Sequence, residues 1–158
     1  MSPKNDNSEE EVSQFTASCL KAEQIAAKLI ARAEQNSFAL SSKLEKRGFQ
    51  AAVVKEVISG LLDRGLLDDQ RYAELWLRSR LGKRAQSPKT LLFSLRKRGI
   101  DRHSSKKAMD QVLDPETEYT LLLKYVETLN EGEISSLRAQ LKYEGFSVET
   151  LTRYFDNF

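Results

Sequence analysis

The sequence predicts an all-α protein: a tandem array of three three-helix, helix-turn-helix-like repeats, elongated and curved. Three observations predict it. One turn recurs as Leu44-Glu45-Lys46-Arg47-Gly48-Phe49, Leu95-Arg96-Lys97-Arg98-Gly99-Ile100 and Leu141-Lys142-Tyr143-Glu144-Gly145-Phe146. A glycine in the left-handed region ends a helix without a Cβ clash, and the apolar residue after it folds back onto the leucine, which is the signature of a Schellman cap. Alignment on the three glycines then superposes four apolar positions: Leu40/Leu91/Leu137, Leu44/Leu95/Leu141, Phe49/Ile100/Phe146 and Ile58/Met109/Phe155. Self-similarity at a near-constant period marks stacked repeats. Finally, only 7 Gly and 3 Pro interrupt a chain without β-branched alternation, so helices are favoured throughout.

Each helix follows from local punctuation. The first is expected over about 20–32, with Ile25, Leu29 and Ile30 on one face. The second, about 37–46, runs into the Gly48 cap. The third, about 51–64, carries Val54, Val57, Ile58, Leu61 and Leu62 at core spacing and stops at Gly65. Asp68 is placed to cap the fourth, whose inward side is read as Tyr72, Leu75, Trp76 and Leu81. Ser87-Pro88 and Asp114-Pro115 start the fifth and seventh, with a capping side chain followed by proline at the first helical position. Leu91, Leu92 and Leu95 form the stripe of the fifth. Asp101 starts the sixth, with Ala108, Met109 and Val112 inward. The seventh presents Leu121, Leu122, Tyr125, Val126 and Leu129, and the eighth Ile134, Leu137 and Leu141. Ser147 caps the ninth, which turns Leu151, Tyr154 and Phe155 inward. The repeats are expected at 20–67, 68–113 and 114–158. Units of that length are marginal alone and draw stability from their neighbours.

Composition narrows the class. The chain of 158 residues is 40% hydrophobic and 30% charged, enough for a modest core. Its single cysteine, Cys19, rules out an internal disulfide and fits a reducing compartment. No apolar run is long enough to span a bilayer. Residues 1–18 are acidic, lack the apolar stretch of a secretory signal, and are expected as a disordered tail. A soluble cytoplasmic protein is the expectation.

The formal charge of +2 conceals a segregation. Arg78, Arg80, Lys83, Arg84, Lys89, Arg96, Lys97, Arg98, Arg102, Lys106 and Lys107 are accompanied only by Asp101, so that segment carries +10 and the remainder −8. A basic middle between acidic flanks suits a polyanion or an acidic protein surface. The last-turn cations Lys46, Arg47 and Arg96 to Arg98 also complement helix dipoles, so part of their presence is structural. Arg78 to Lys89 are therefore the stronger contact candidates.

Other features read as structure. Asp68 and Asp69 diverge at a helix start with no third ligand beside them, so capping is expected rather than a metal site. His103 lacks a nucleophile or second histidine, so no catalytic residue, metal or cofactor is expected. Trp76 and Tyr72, four apart, read as core before base-stacking residues.

The stretch Gly65-Leu66-Leu67-Asp68-Asp69-Gln70-Arg71-Tyr72-Ala73, followed by Arg78-x-Arg80, resembles the signature of the RecX family of recombination regulators. Pro88-Lys89, Leu91-Leu92, Leu95 and the turn Arg96-Lys97-Arg98-Gly99-Ile100 extend the resemblance, which is specific over about 60–112. Where the family often has glycine before the proline, this chain has Gln86-Ser87, and the third unit diverges most. The resemblance implies a non-enzymatic protein that docks on the filament of the RecA recombinase on DNA. It implies inhibition of RecA ATPase and strand exchange; weaker binding to bare single- and double-stranded DNA and a monomeric state are expected alongside. Arg78, Arg80, Lys83, Arg84, Lys89, Arg96, Lys97 and Arg98 are the expected contact residues. The alternative is a helical DNA-binding protein acting through the same basic repeat.

Overall fold

The computed structural model describes residues 6–130 and 136–157. Among them are nine helices and no strand: α1 (Asp6–Arg32), α2 (Ser37–Glu45), α3 (Ala51–Asp63), α4 (Asp69–Leu81), α5 (Pro88–Lys97), α6 (Arg102–Val112), α7 (Pro115–Val126), α8 (Leu137–Tyr143) and α9 (Val148–Asp156). The chain divides into two compact units, Met1–Asp69 and Gln70–Phe158.

The recurring turns are Schellman caps in full. Gly48, Gly99 and Gly145 have φ of 90°, 82° and 91°. Their N–H groups donate to Glu45, Arg96 and Lys142 carbonyls at 2.9, 2.9 and 3.1 Å. Phe49, Ile100 and Phe146 N–H groups reach back to Leu44, Leu95 and Leu141 carbonyls at 3.4, 3.2 and 3.2 Å. Gly65, at φ 68°, closes α3 the same way, with Leu66 N–H on the Leu61 carbonyl at 2.9 Å. The helix starts also follow the sequence. Ser87, Asp101 and Ser147 side chains accept from the N–H groups of Thr90, Ser104 and Thr150. Asp114 accepts from both Glu116 and Thr117.

In the first unit, α1 begins at Asp6, so residues 6–18 are helical where a disordered tail is expected; residues 1–5 lie outside the described residues. Asn7 through Ala17 are all exposed, so burial does not hold this stretch. Extending a helix already nucleated by its packed half costs little, and glutamate is a good helix former. The packed half buries Ala22 and Ala26 completely, and their small side chains let α1 lie close on α3. Ile25, Leu29 and Ile30 flank them. The rest of this core is Leu40 and Leu44 from α2, Val53, Val54, Val57, Ile58 and Leu61 from α3, and Leu67. Leu62, expected inward, is 41% exposed. The buried arc of α3 centres on Val57, which takes Val53 in and turns Leu62 out.

In the second unit, residues of α4 to α9 share one core. α4 buries Ala73 and Leu77, one helical turn apart; Leu75, midway between them, faces away and is 51% exposed, against expectation. Leu91, Leu95, Ile100, Ala108, Met109, Val112, Leu121, Leu122, Leu141, Phe146, Leu151 and Tyr154 complete the buried set. Tyr72, Trp76, Leu81, Leu129, Leu137 and Phe155 pack on it partly exposed. Ile134 lies outside the described residues.

Candidate nucleic-acid and filament interface

The basic segment is carried by α4, the turn after it, α5 and α6. Its centre is Trp76, whose indole lies half-buried against the core. The indole N–H is buried without a hydrogen-bond partner among the described residues. Arg80, one helical turn further along α4, sets its guanidinium carbon 5.1 Å from the ring centroid. Arg98, just past the end of α5, sets its own at 5.0 Å. Both distances fall in the cation–π range. Lys97 stands over Phe93 at 5.6 Å. Trp76, Arg80, Gln86, Ser94, Lys97 and Arg98 line one open depression of about 440 Å³, with no carboxylate in its lining.

This arrangement has a chemical consequence. A guanidinium seated on an aromatic face keeps its in-plane N–H donors free and has less side-chain freedom left to lose when it binds. Two such groups and a lysine around one depression favour an oxyanion, either phosphate or carboxylate. The indole is already occupied by arginine, which leaves little room for a base on Trp76. Phe93, 62% exposed on the same helix as Lys97, is the exposed aromatic beside this depression.

The eight expected contact residues do not form one cluster. Arg80, Lys97 and Arg98 meet at Trp76. Arg78 is exposed two residues from Arg80, so it points from a different side of α4. Lys83 and Arg84 are exposed in the turn between α4 and α5, where Lys83 N–H donates to the Arg80 carbonyl at 2.9 Å. Lys89 places its ammonium 3.3 Å from the Tyr143 ring centroid, and Arg96 is exposed in the last turn of α5. Asp101, the only acid of the segment, is engaged as the cap of α6. Hydrogen bonds from the Ser104 hydroxyl and N–H hold its carboxyl below the usual range. Gln86, Ser94 and Phe93 are not among the contact residues expected from sequence. Phe93 stands four residues before Lys97, which is the one signal that points to it.

Asp68 immediately precedes α4, and the Asp69 carboxylate accepts from the Ser37 N–H at 2.7 Å and from the Ser37 hydroxyl at 2.5 Å. No described helix is long and apolar enough to cross a membrane.

Residues 68–109, which span α4 to most of α6, match the family model described as RecX, second three-helix domain. The chain is 38% identical over 115 residues to the regulatory protein RecX of Treponema pallidum (strain Nichols), covering 73% of this chain and 70% of that one. It is 40% identical over 75 residues to the regulatory protein RecX of Halorhodospira halophila, covering 48% and 46% of the two chains. The fold resembles a crystal structure of RecX from Lactobacillus salivarius, with a TM-score of 0.65 at 21% identity over 90% of this chain and 97% of that one. A second crystal structure, of a regulatory protein RecX, gives 0.71 at 17% identity over 98% and 79%. A relative of the identity and coverage found in Treponema shares more than a fold, and the chain belongs to the RecX family of regulatory proteins.

Proposed function

We propose that this protein is a non-catalytic regulator that binds the RecA filament on DNA through its basic second repeat and thereby inhibits ATP hydrolysis and strand exchange. The carrying observation is the Arg80–Trp76–Arg98 arrangement, with Lys97 beside it and no acid in the lining. Arginine forks suit both components of such a filament, the phosphates of DNA and the carboxylates of a protein surface. Arg78, Lys83, Arg84, Lys89 and Arg96 lie outside this depression and are further cationic contacts on the proposed reading.

The test is RecA ATPase on single-stranded DNA with added protein, wild type against Arg80→Glu/Arg98→Glu. Inhibition by the wild type and its loss in a variant of unchanged helical circular dichroism is the expected result. Full inhibition by the folded variant would reject this face. The exposed Phe93 beside Lys97 favours a second reading, a plain DNA-binding helical protein. That reading predicts equal binding to bare and RecA-coated DNA, with the same steep salt dependence for both.

A further inference from the structure

We propose that the projecting start of α1, together with the Gly48 turn, forms a docking groove for a basic amphipathic helix of another protein. Along α1, Val12, Phe15, Cys19, Ala22, Ala26 and Leu29 recur at alternating steps of three and four, the spacing of a coiled-coil seam. The later part of this seam is used: Ala22 and Ala26 are fully buried, and Cys19 and Leu29 pack beside them. The earlier part is not. Val12 is 65% exposed and Phe15 39% exposed. A seam longer than the body it packs on leaves helix surface shaped for one more helix.

The exposed seam borders a depression of about 440 Å³. Phe15, Phe49 and Val53 supply its apolar lining, and Glu11, Gln14 and Gln50 its polar lining. The side chains on either flank of the seam decide what fits there. Glu9 and Glu11 stand on its two sides, Glu10 stands between them, and all three are exposed. No lysine or arginine occurs from Asn7 to Leu20. Flanking charges of this kind select partners in paired helices. Two copies of this chain meeting in parallel through the seam would bring their two Glu9 to Glu11 clusters together. Nucleic acid and anionic lipid are repelled by the same charge. A helix with lysine or arginine flanking an apolar stripe is matched in both apolarity and charge. This surface is opposite in sign to the basic repeat, so it gives the protein a second contact of a different kind.

The test uses the full chain and a fluorescein-labelled amphipathic peptide with leucine at the seam positions and lysine at the flanking ones, beside a twin with glutamate at the flanks. Fluorescence anisotropy is expected to show the lysine peptide binding at least about tenfold tighter than its twin. Phe15→Asp should abolish that binding with circular dichroism unchanged, since Phe15 contributes little to the core. Glu9→Lys/Glu11→Lys should reverse the preference between the two peptides. Equal binding of both peptides, or undiminished binding to folded Phe15→Asp, would overturn the proposal. So would sedimentation velocity showing that the chain pairs with itself through Phe15.

Discussion

The Ser87 hydroxyl donates to the Glu144 carboxylate at 2.5 Å, joining the start of α5 to the end of α8 across 57 residues of sequence. The Ser87 oxygen at the same time accepts from Thr90 N–H at 3.2 Å, which caps α5. One residue along α5, Lys89 N–H donates to the Glu144 carbonyl at 3.0 Å. A single buried serine thus starts one helix properly and ties it to the end of another. The same device recurs within the last three helices. There Glu118 accepts from the Ser147 N–H at 2.9 Å, from the Ser147 hydroxyl at 2.5 Å and from the Thr150 hydroxyl.

Ser87→Ala removes both roles and is expected to destabilise the protein by about 1–2 kcal/mol, the upper range of cap losses. Ser87→Asp separates the roles, because aspartate caps as well as serine but sets its charge against Glu144. Urea denaturation should place Ser87→Asp no higher than Ser87→Ala. A fully stable Ser87→Asp protein would show that the Glu144 contact contributes nothing.

The glycine turns differ in what surrounds them. A Cβ at Gly48 meets nothing within 4 Å, whereas one at Gly145 comes 3.3 Å from Lys89 N and 3.5 Å from Pro88 Cβ. Both glycines have positive φ, so alanine at either costs about 1–2 kcal/mol of backbone strain. Gly145→Ala is expected to cost more than Gly48→Ala, because the α5 backbone at Lys89 must also shift. Equal denaturation midpoints for the two variants would contradict the close approach.

Trp76 is the only tryptophan of the chain, so intrinsic fluorescence reads the Arg80–Arg98 site directly. Titration with single-stranded oligonucleotide should change its emission as the guanidinium groups rearrange. Arg98→Gln should weaken that response and lower the salt dependence by about one counterion. An abasic oligonucleotide should act almost equally, since arginine already occupies the indole. A response that requires bases would place stacking above phosphate contact.

Asp101 and Asp114 give the stability a pH dependence of defined sign. The Ser104 hydroxyl and N–H depress the Asp101 carboxyl, and the Thr117 N–H and hydroxyl depress that of Asp114. A carboxyl depressed on folding stabilises above its unfolded-state pKa, and that contribution is lost as pH falls through the folded-state value. Thermal melts should therefore show Asp101→Ala and Asp114→Ala less stable than wild type at neutral pH. The gap should close in acid below the usual aspartate range. A gap that stays constant would mean that the caps do not act through charge.

Much of the fold was legible because its signals are local. Each Schellman turn is encoded within six residues, and each Ser or Asp cap within three, so neither needs the rest of the chain. Leu62 lies at the edge of the buried arc of α3, and which edge turns outward depends on the neighbouring helix, whereas Leu75 lies opposite Ala73 and Leu77, and the small Ala73 gives little signal of the face that packs. The start of α1 is helical although its acidic composition reads as disorder. Its helix continues from the half anchored by Ala22 and Ala26, and alanine carries almost no hydrophobic signal.

The sequence by itself determined the helical class, most helix ends but not the start of α1, the repeated turn and the concentration of cations between Arg78 and Lys107, because residue type and short spacing carry these. It also contained the Trp76–Arg80 pair, which lies one helical turn apart. Only the tertiary structure decided that Arg98 shares that indole, that Lys97 stands at the same depression, and that Arg78 does not. It alone joined Ser87 to Glu144. Those relationships depend on how helices separated in sequence pack together, and packing is settled by the whole core rather than by any one segment.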